Sequence, residues 1–435
     1  MKCYDHRRYP KAILHVDGDS FFAQCEVAKN PHLRGLPVVT GSERGIASAL
    51  TYEAKAAGVK RGMPIHEIKK ICPDAVVLPS DYESYSLYAL RMYSIVRRYT
   101  PEVEEYSIDE CFADLTGLRR PLRMSYERMA ECIKRDLVAE LGITFSVGLA
   151  PSKVLAKVAS KWRKPDGLSF IPLNKAHIYL SKLPVENVWG IGSQTSAFLR
   201  KHGIRTAHHL AVADPEWSER NLSKPYLEIR KELLGEVVFE VDRVLKTEYR
   251  SISKTKTFTP PSSDRSFVFS QLSKNIENAC IKARRYGLAA ERVYFYLKRC
   301  DFKCAGMEIK MSRATAVPQV IVSCLEEAFG KIYREGVSYR ATGVVLGNLC
   351  KESVSQHDLF GYSTRVDKTR VICSHIDKLQ GKYGKHTVFL GSSMQAIRFG
   401  SSKEGENVKE RRKNLRFKGE TERKRLGIPF LGEAS

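Results

Sequence analysis

Two short acidic segments stand out in the 435-residue chain: Asp17-Gly18-Asp19 and Ser107-Ile108-Asp109-Glu110. Each lies at the end of a run with strand character, and neighbouring strands of one sheet can bring their carboxylates together. Carboxylates sharing one site cannot all ionise without cations, so the cluster implies bound divalent metal. Hard oxygen ligands with no nearby His or Cys suit Mg²⁺, with Mn²⁺ as a substitute, and disfavour Zn²⁺. Two such ions, roughly 3.5–4 Å apart, can activate a hydroxyl and hold a leaving pyrophosphate. Asp17 and Asp109 are expected to bridge both ions, with Glu110 completing the site of the catalytic one. The Gly18 carbonyl is a further oxygen ligand. Asp19 is expected to take a structural or supporting role.

The elements that must position these residues can be read from periodicity. Ala12–Val16 is an apolar run suited to a buried strand, and Phe21–Lys29 reads as a helix ended by Asn30-Pro31. Asp81–Tyr99 and Ser125–Leu141 carry apolar residues at helical spacing, while Glu102–Tyr106, Glu110–Asp114 and Thr144–Leu149 read as strands. Strand, helix, strand, strand, helix, strand is the order of a ferredoxin-like α+β sheet. Residues 31–78 form an insertion with strands at Leu36–Thr40 and Ile46–Leu50 and a helix at Tyr52–Ala57. Residues 174 to about 245 are helix-rich, and a polar stretch from 247 leads into a second set. There, strands near Ser253–Phe258, Arg292–Arg299, Lys303–Met311 and Tyr339–Leu346 alternate with helices near Phe267–Tyr286 and Pro318–Phe329. After Leu349 the order is expected to fade, apart from short docked pieces.

Length suggests about three domains, because one core seldom serves more than about 250–300 residues. Hydrophobic content of 43% and charged content of 28% exclude disordered and collagenous classes. No apolar run reaches the ~18–20 residues of a membrane span, and no signal-like segment is present, so a cytoplasmic chain without membrane partners is expected. The 11 cysteines include no CxxC pair and read as reduced, mostly buried thiols. The net charge of +23 points to a polyanionic partner. It is unevenly spread: +6 over residues 1–175, zero over 176–249 and +9 over 250–350.

Four blocks then carry a resemblance: HVDGDSFFAQCE (15–26), TYEAKAAGVKRGMP (51–64), YSIDECFADLTG (106–117) and FSVGLAPSKVLAKVASKWRKPDG (145–167). Together they resemble the Y-family translesion DNA polymerases of the DinB/UmuC type, over residues 11–360 and in order. The resemblance implies an α+β multidomain, right-hand polymerase. Its ferredoxin-like palm would be residues 11–30 and 79–173, its small fingers 31–78, and its helical thumb with a helix-hairpin-helix 174–246. A linker at 247–257 would lead to a βαββαβ little finger within 251–350, followed by a tail at 351–435. The implied activity is template-directed addition of deoxynucleotides to a primer 3′ end, past damaged bases, with deoxynucleoside triphosphates and primer-template DNA as partners.

Residue by residue, Asp17, Asp109 and Glu110 match the family's metal-binding carboxylates. Phe22 matches its aromatic steric gate, whose ring leaves no room for a 2′ hydroxyl. Tyr52, Lys55 and Lys164 match residues that contact the incoming triphosphate. Many relatives have Arg where this chain has Lys55, and lysine keeps the charge but loses the bidentate fork. Ala47, Ser48 and Ala49 match the finger segment over the nascent base pair, where small side chains leave a roomy site. Lys153, Lys157 and Lys161 read as a solvated basic face and receive no role. Gly190 and Gly192, in Trp189-Gly190-Ile191-Gly192, resemble a helix-hairpin-helix that lets backbone N–H groups approach a phosphate. Lys254, Lys256, Arg292, Lys298, Arg299 and Lys310 fall on little-finger strands and are expected to line DNA phosphates. Gln356, Leu359 and Phe360 resemble the peptide by which bacterial polymerases dock on the sliding clamp. Accessory mutagenesis proteins are further expected partners.

Three other readings fit the sequence less well. A catalytically silent relative serving as a scaffold lacks the metal carboxylates, which are all present here. A two-metal nucleotidyl cyclase also uses a ferredoxin-like sheet, but the helix-hairpin-helix, the basic second α+β domain and the clamp-like peptide count against it. A non-enzymatic DNA-binding protein needs no carboxylate cluster.

Overall fold

The computed structural model describes residues 9–243, 249–351, 362–383 and 386–398. They fall into two compact units, divided between residues 243 and 249.

The first unit begins with β1 (Ile13–Gly18) and α1 (Phe21–Lys29). The inserted module follows: β2 (Val38–Thr40), β3 (Ala49–Leu50), α2 (Tyr52–Ala56), α3 (Ile65–Ile71) and β4 (Val76–Leu78). Its three strands form their own sheet in the order β3-β2-β4. The chain then makes α4 (Tyr82–Arg97), β5 (Val103–Ser107), β6 (Glu110–Asp114), α5 (Tyr126–Leu141), β7 (Phe145–Ala150), α6 (Lys153–Trp162) and β8 (Leu168–Phe170). The main sheet runs β5-β6-β1-β7-β8, the order expected of a ferredoxin-like sheet plus one added strand. Local chemistry sets the helix ends. Ser125 accepts the Arg128 N–H at the start of α5, Gly142 ends it in the left-handed region, and Ser152 accepts the Leu155 N–H at the start of α6.

All six residues of β1 are buried, because both faces of the sheet are covered. Leu14 and Val16 enter a core shared with α1, α4 and α5, whereas Ile13 joins a second core with α6 and the helices that follow. Those helices are α7 (Ala176–Leu180), α8 (Ser193–Lys201), α9 (Ala207–Ala211), α10 (Pro215–Asn221) and α11 (Lys224–Leu233). Gly148 on β7 makes the close seating of α6 possible: a Cβ there would lie 2.2 Å from the Ser160 nitrogen and 2.3 Å from the Ala156 oxygen. Buried Glu232 of α11 ties this helical region to the start of α6. Its carboxylate accepts from the N–H groups of Val154, Val238 and Phe239 at 3.1, 2.8 and 2.8 Å.

The second unit has β9 (Ser251–Ser262), α12 (Arg265–Arg285), β10 (Leu288–Arg299), β11 (Cys304–Thr315), α13 (Pro318–Ile332) and β12 (Tyr339–Lys351). The strand-helix grammar repeats that of the first sheet, but the order is β11-β10-β12-β9. The second and fourth strands are central here, whereas the first and third of the six-element grammar are central in the palm-like sheet. Beyond β12, α14 (Tyr362–Tyr383) and residues 386–398 extend the order past the point where it was expected to fade. Arg284 of α12 clasps Asp377 with two 2.7 Å hydrogen bonds. The Leu390 N–H donates to buried Glu277 at 3.2 Å, and the Ala396 N–H donates to Ser270 at 2.9 Å. Among the described residues no helix is long and apolar enough to cross a membrane. The ten described cysteines are free, and six of them are buried.

Candidate active site

The register of β1 against β6 sets Asp17 directly opposite Glu110. The Gly18 N–H donates to the Asp109 carbonyl at 2.8 Å, and the Ser107 hydroxyl donates to the Asp109 carboxylate at 2.6 Å. The two acidic segments therefore meet at one end of the central strand pair. Glycine is required at position 18, since a Cβ would come within 2.6 Å of the Phe21 ring. Burial pushes the Asp17 carboxyl up to about 6 despite the opposing pull of Lys164, and the negative charges of Glu110 and Asp109 add to the rise.

Among the described residues no three metal-ligating side chains are drawn close enough to hold an ion as they stand. Ammonium groups sit on two of the carboxylates. Lys164 Nζ is 2.5 Å from Asp17 Oδ1, and Lys157 Nζ is 2.7 Å from Glu110 Oε2. The remaining charge excess and the all-oxygen donor set fit a hard divalent cation. Asp19 lies just past the end of β1, on the side of Asp17: Lys164 Nζ, which contacts Asp17, is 3.8 Å from Asp19 Oδ1. Asp19 is fully buried and accepts from the Ser146 hydroxyl at 2.8 Å and the Asp166 N–H at 2.7 Å.

The inserted module brings α2 to the same place. Lys55 Nζ lies 3.8 Å from the centre of the Tyr52 ring and donates to Ser20 Oγ at 2.9 Å. Burial, aided by the charges of Asp19 and Asp17, pushes the Tyr52 phenol up to about 12. Partial burial, with the Lys164 charge adding to it, lowers the Lys55 ammonium despite those same carboxylates. Of the three small residues, Ala47 is buried in the module's own core, and Ser48 and Ala49 are half-buried. On α1, Phe21 enters the core while Phe22 is half-buried beside it. The Phe22 ring stacks on Tyr85 at 4.5 Å with 11° between planes and meets Tyr82 edge-on at 5.3 Å. Tyr85 in turn donates to Glu26 at 2.8 Å, so the ring beneath Phe22 is itself held.

Lys153 and Lys157 differ most from expectation. A solvated face was expected, but both are buried, at 5% and 6% exposure. Lys153 pairs with Glu104 at 2.6 Å and lies 4.7 Å from the Phe112 ring centre. Lys157 lies 4.5 Å from the Tyr106 ring centre and 5.4 Å from that of Trp189. Helical spacing alone shows that these lysines share a face. It does not show that His15, Asp17, Glu110 and Phe112 all point toward that face. Lys161, one turn further on, is exposed as expected.

The impB/mucB/samB family model matches residues 16–161, and the model of that family's C-terminal domain matches residues 249–359. A DNA polymerase IV from Caulobacter vibrioides is 30% identical over 389 residues, covering 88% of this chain and 94% of that protein. One from Moorella thermoacetica is 31% identical over 398 residues, covering 88% and 96%. A Y-family DNA polymerase chimera of Dbh and Dpo4 superposes with a TM-score of 0.66 at 25% identity, covering 78% of this chain and 98% of the chimera. The chain belongs to the DinB-like Y-family DNA polymerases. It is a translesion DNA polymerase, and the polymerase fold expected from the motifs is the one observed.

In this polymerase, Gly190 has a φ of +88°, and a Cβ there would lie 2.6 Å from Ile229. Gly192 is exposed, caps α8 and has open space around its Cα, so its backbone is accessible. In the second unit, Val293, Phe295 and Leu297 of β10 face the helices, while Arg292, Tyr294, Tyr296 and Lys298 face away from them. Lys310 shares that open face through its pairing with Arg292. The register places Lys254 and Lys256 differently. They lie opposite Val344 and Thr342, on the helix-side parity of edge strand β9, while Thr255 reaches Tyr296 on the open face at 2.8 Å. Arg292 and Arg299 are partly neutralised by Glu308 and Asp301. The open face also carries two tyrosines that motif reading left without a role. Tyr294 and Tyr296 lie over Gly306 and Gly343, where any Cβ would strike the rings or hydroxyls at 2.3 Å. Gln356, Leu359 and Phe360 lie outside the described residues.

Proposed function

We propose that Asp17, Asp109, Glu110 and the Gly18 carbonyl hold two Mg²⁺ ions, for which Mn²⁺ substitutes, at the polymerase active site. The observation that carries this is the opposition of Asp17 and Glu110 across β1 and β6, with Asp109 tied to Gly18 beside them. Bound there, the ions would supply an activated primer 3′ hydroxyl and charge neutralisation of the departing pyrophosphate. Lys164, now on Asp17, and Lys55 with Tyr52, on the facing finger helix, bind and orient the triphosphate. Phe22, braced by Tyr85, excludes a 2′ hydroxyl. Residues 11–30 and 79–173 act as palm, 31–78 as fingers, 174–246 as thumb, and the second unit as little finger with its linker at 247–257 and tail from 351. Gly190 and Gly192 offer backbone amides to the primer-template phosphates. Arg292, Lys298, Arg299 and Lys310 contribute charge on the open little-finger sheet, and Lys254 and Lys256 do so from its edge. Gln356, Leu359 and Phe360 dock on the sliding clamp, accessory mutagenesis proteins bind as well, and the enzyme works in the cytoplasm.

The test is primer extension with Mg²⁺ on a gapped template. Asp109→Ala is expected to slow extension by about 10³-fold or more, because an entire ligand of the charge-stabilising site is lost. Extension at the wild-type rate by Asp109→Ala would show that the site is misassigned.

A further inference from the structure

We propose that Lys157 is a positioning residue for Glu110. Its ammonium holds Glu110 Oε2 and competes in part with the metal for that carboxylate, and the thumb holds it in place through Trp189. The proposal rests on the reading of Glu110 as a metal ligand. Lys157 is 6% exposed, with its ammonium 2.7 Å from Glu110 Oε2 and bracketed by the rings of Tyr106 at 4.5 Å and Trp189 at 5.4 Å. A buried ammonium is stable only where charge and aromatic faces replace its lost water, and this site supplies both.

The cage is built from two regions of the first unit. Tyr106 belongs to β5 of the sheet, next to the strand that carries Glu110. Trp189 comes from the loop before α8, donates its indole N–H to the Tyr106 hydroxyl at 3.2 Å, and meets that ring edge-on at 5.5 Å. It also packs against Phe112 at 5.9 Å and Phe239 at 6.0 Å. A shift of the Trp189 loop must therefore move the wall that holds Lys157, and with it the Glu110 carboxylate. An ammonium and a divalent ion compete for one carboxylate oxygen. Lys157 thus weakens metal binding slightly, and in return keeps Glu110 aimed for catalysis.

The test measures Mn²⁺ binding to the full-length, DNA-free protein by electron paramagnetic resonance, beside steady-state nucleotide insertion. Lys157→Met keeps the apolar stem and removes the charge. It is expected to tighten Mn²⁺ binding about fivefold by removing the competing cation, while kcat falls about tenfold and the nucleotide KM holds. Lys157→Arg should restore most of kcat. Trp189→Phe, which loses the indole N–H, should move both quantities in the same directions by less. A purely structural role would weaken metal binding and lower kcat together, and that result overturns the proposal, as does unchanged Mn²⁺ affinity in Lys157→Met. Glu110→Gln tests the underlying reading separately. If it leaves Mn²⁺ affinity intact, Glu110 is not a ligand. If it weakens binding while Lys157→Met does nothing, only the positioning role fails.

Discussion

At the scale of single residues, the polymerase manages an excess of buried negative charge. Asp17 sits against Glu110 and near Asp109, and Lys164 and Lys157 each neutralise one member of the group. This explains why Lys157 of α6 is buried when a helix face of that composition would ordinarily be solvated. The proposed sugar gate belongs to the same scale. Phe22 is stacked on Tyr85, whose hydroxyl is fixed by Glu26, so the ring has little freedom to yield. Phe22→Ala is expected to raise ribonucleotide incorporation relative to deoxyribonucleotide by about 10- to 100-fold, since a clash worth a few kcal/mol is relieved. Competition between the two nucleotides in single-insertion assays measures it, and an unchanged ratio would remove Phe22 from the gate. Glu277 offers a different kind of test. Burial raises its carboxyl above the ordinary value near 4.5, outweighing the hydrogen bonds from Ser393 and the Leu390 N–H. A raised folded value means the stabilisation is complete below the unfolded value and is lost as pH rises through the folded one. Glu277→Gln should therefore melt above wild type at neutral pH, with the gap in Tm closing toward pH 4.5. A gap that does not vary with pH would contradict the burial argument.

Elements are joined by a few buried polar groups. Glu232 of α11 accepts three backbone N–H groups, one of them in the first turn of α6, and so binds the helical region to the helix seated on the main sheet. Glu232→Ala leaves those donors buried without a partner and should cost about 3 kcal/mol or more of unfolding free energy. Urea denaturation followed by circular dichroism would show it, and a loss within error of zero would mean that water replaces the carboxylate. In the second unit, α12 plays a comparable role. Ser270, Glu277 and Arg284 recur along one side of the helix and receive residues 390–396 and α14. The periodicity of α12 alone reads as an amphipathic helix with some polar positions inside. The partner that satisfies those positions lies about a hundred residues away, so only the tertiary contact explains them.

The whole molecule distributes its charge by task. The catalytic segment carries only +6, because its acids offset most of its bases, and residues 250–350 carry +9. On the open sheet of the second unit, basic residues flank two tyrosines laid flat over glycines. We propose that this basic face grips the DNA backbone through its phosphates. Affinity for primer-template DNA should fall by about two orders of magnitude or more between low and moderate salt. Replacing Arg292 and Lys298 together by Ala should shallow the slope of log Kd against log salt by roughly one to two units. Titration by fluorescence anisotropy at several salt concentrations measures both, and a flat dependence in the wild type would contradict the electrostatic grip.

What the chain determined by itself was local. Cap residues and apolar spacing placed α1, α5 and the strand pair with its acidic ends, because those signals act over a few residues. Tertiary structure decided everything that depends on which strand lies beside which. The same βαββαβ grammar produced two different sheet orders. The register against β12 put Lys254 and Lys256 on the helix side of the second sheet and Thr255 on its open face, and the seating of α6 on Gly148 turned Lys157 toward Glu110. These outcomes arise from packing between segments far apart in the chain, and no local period carries that information.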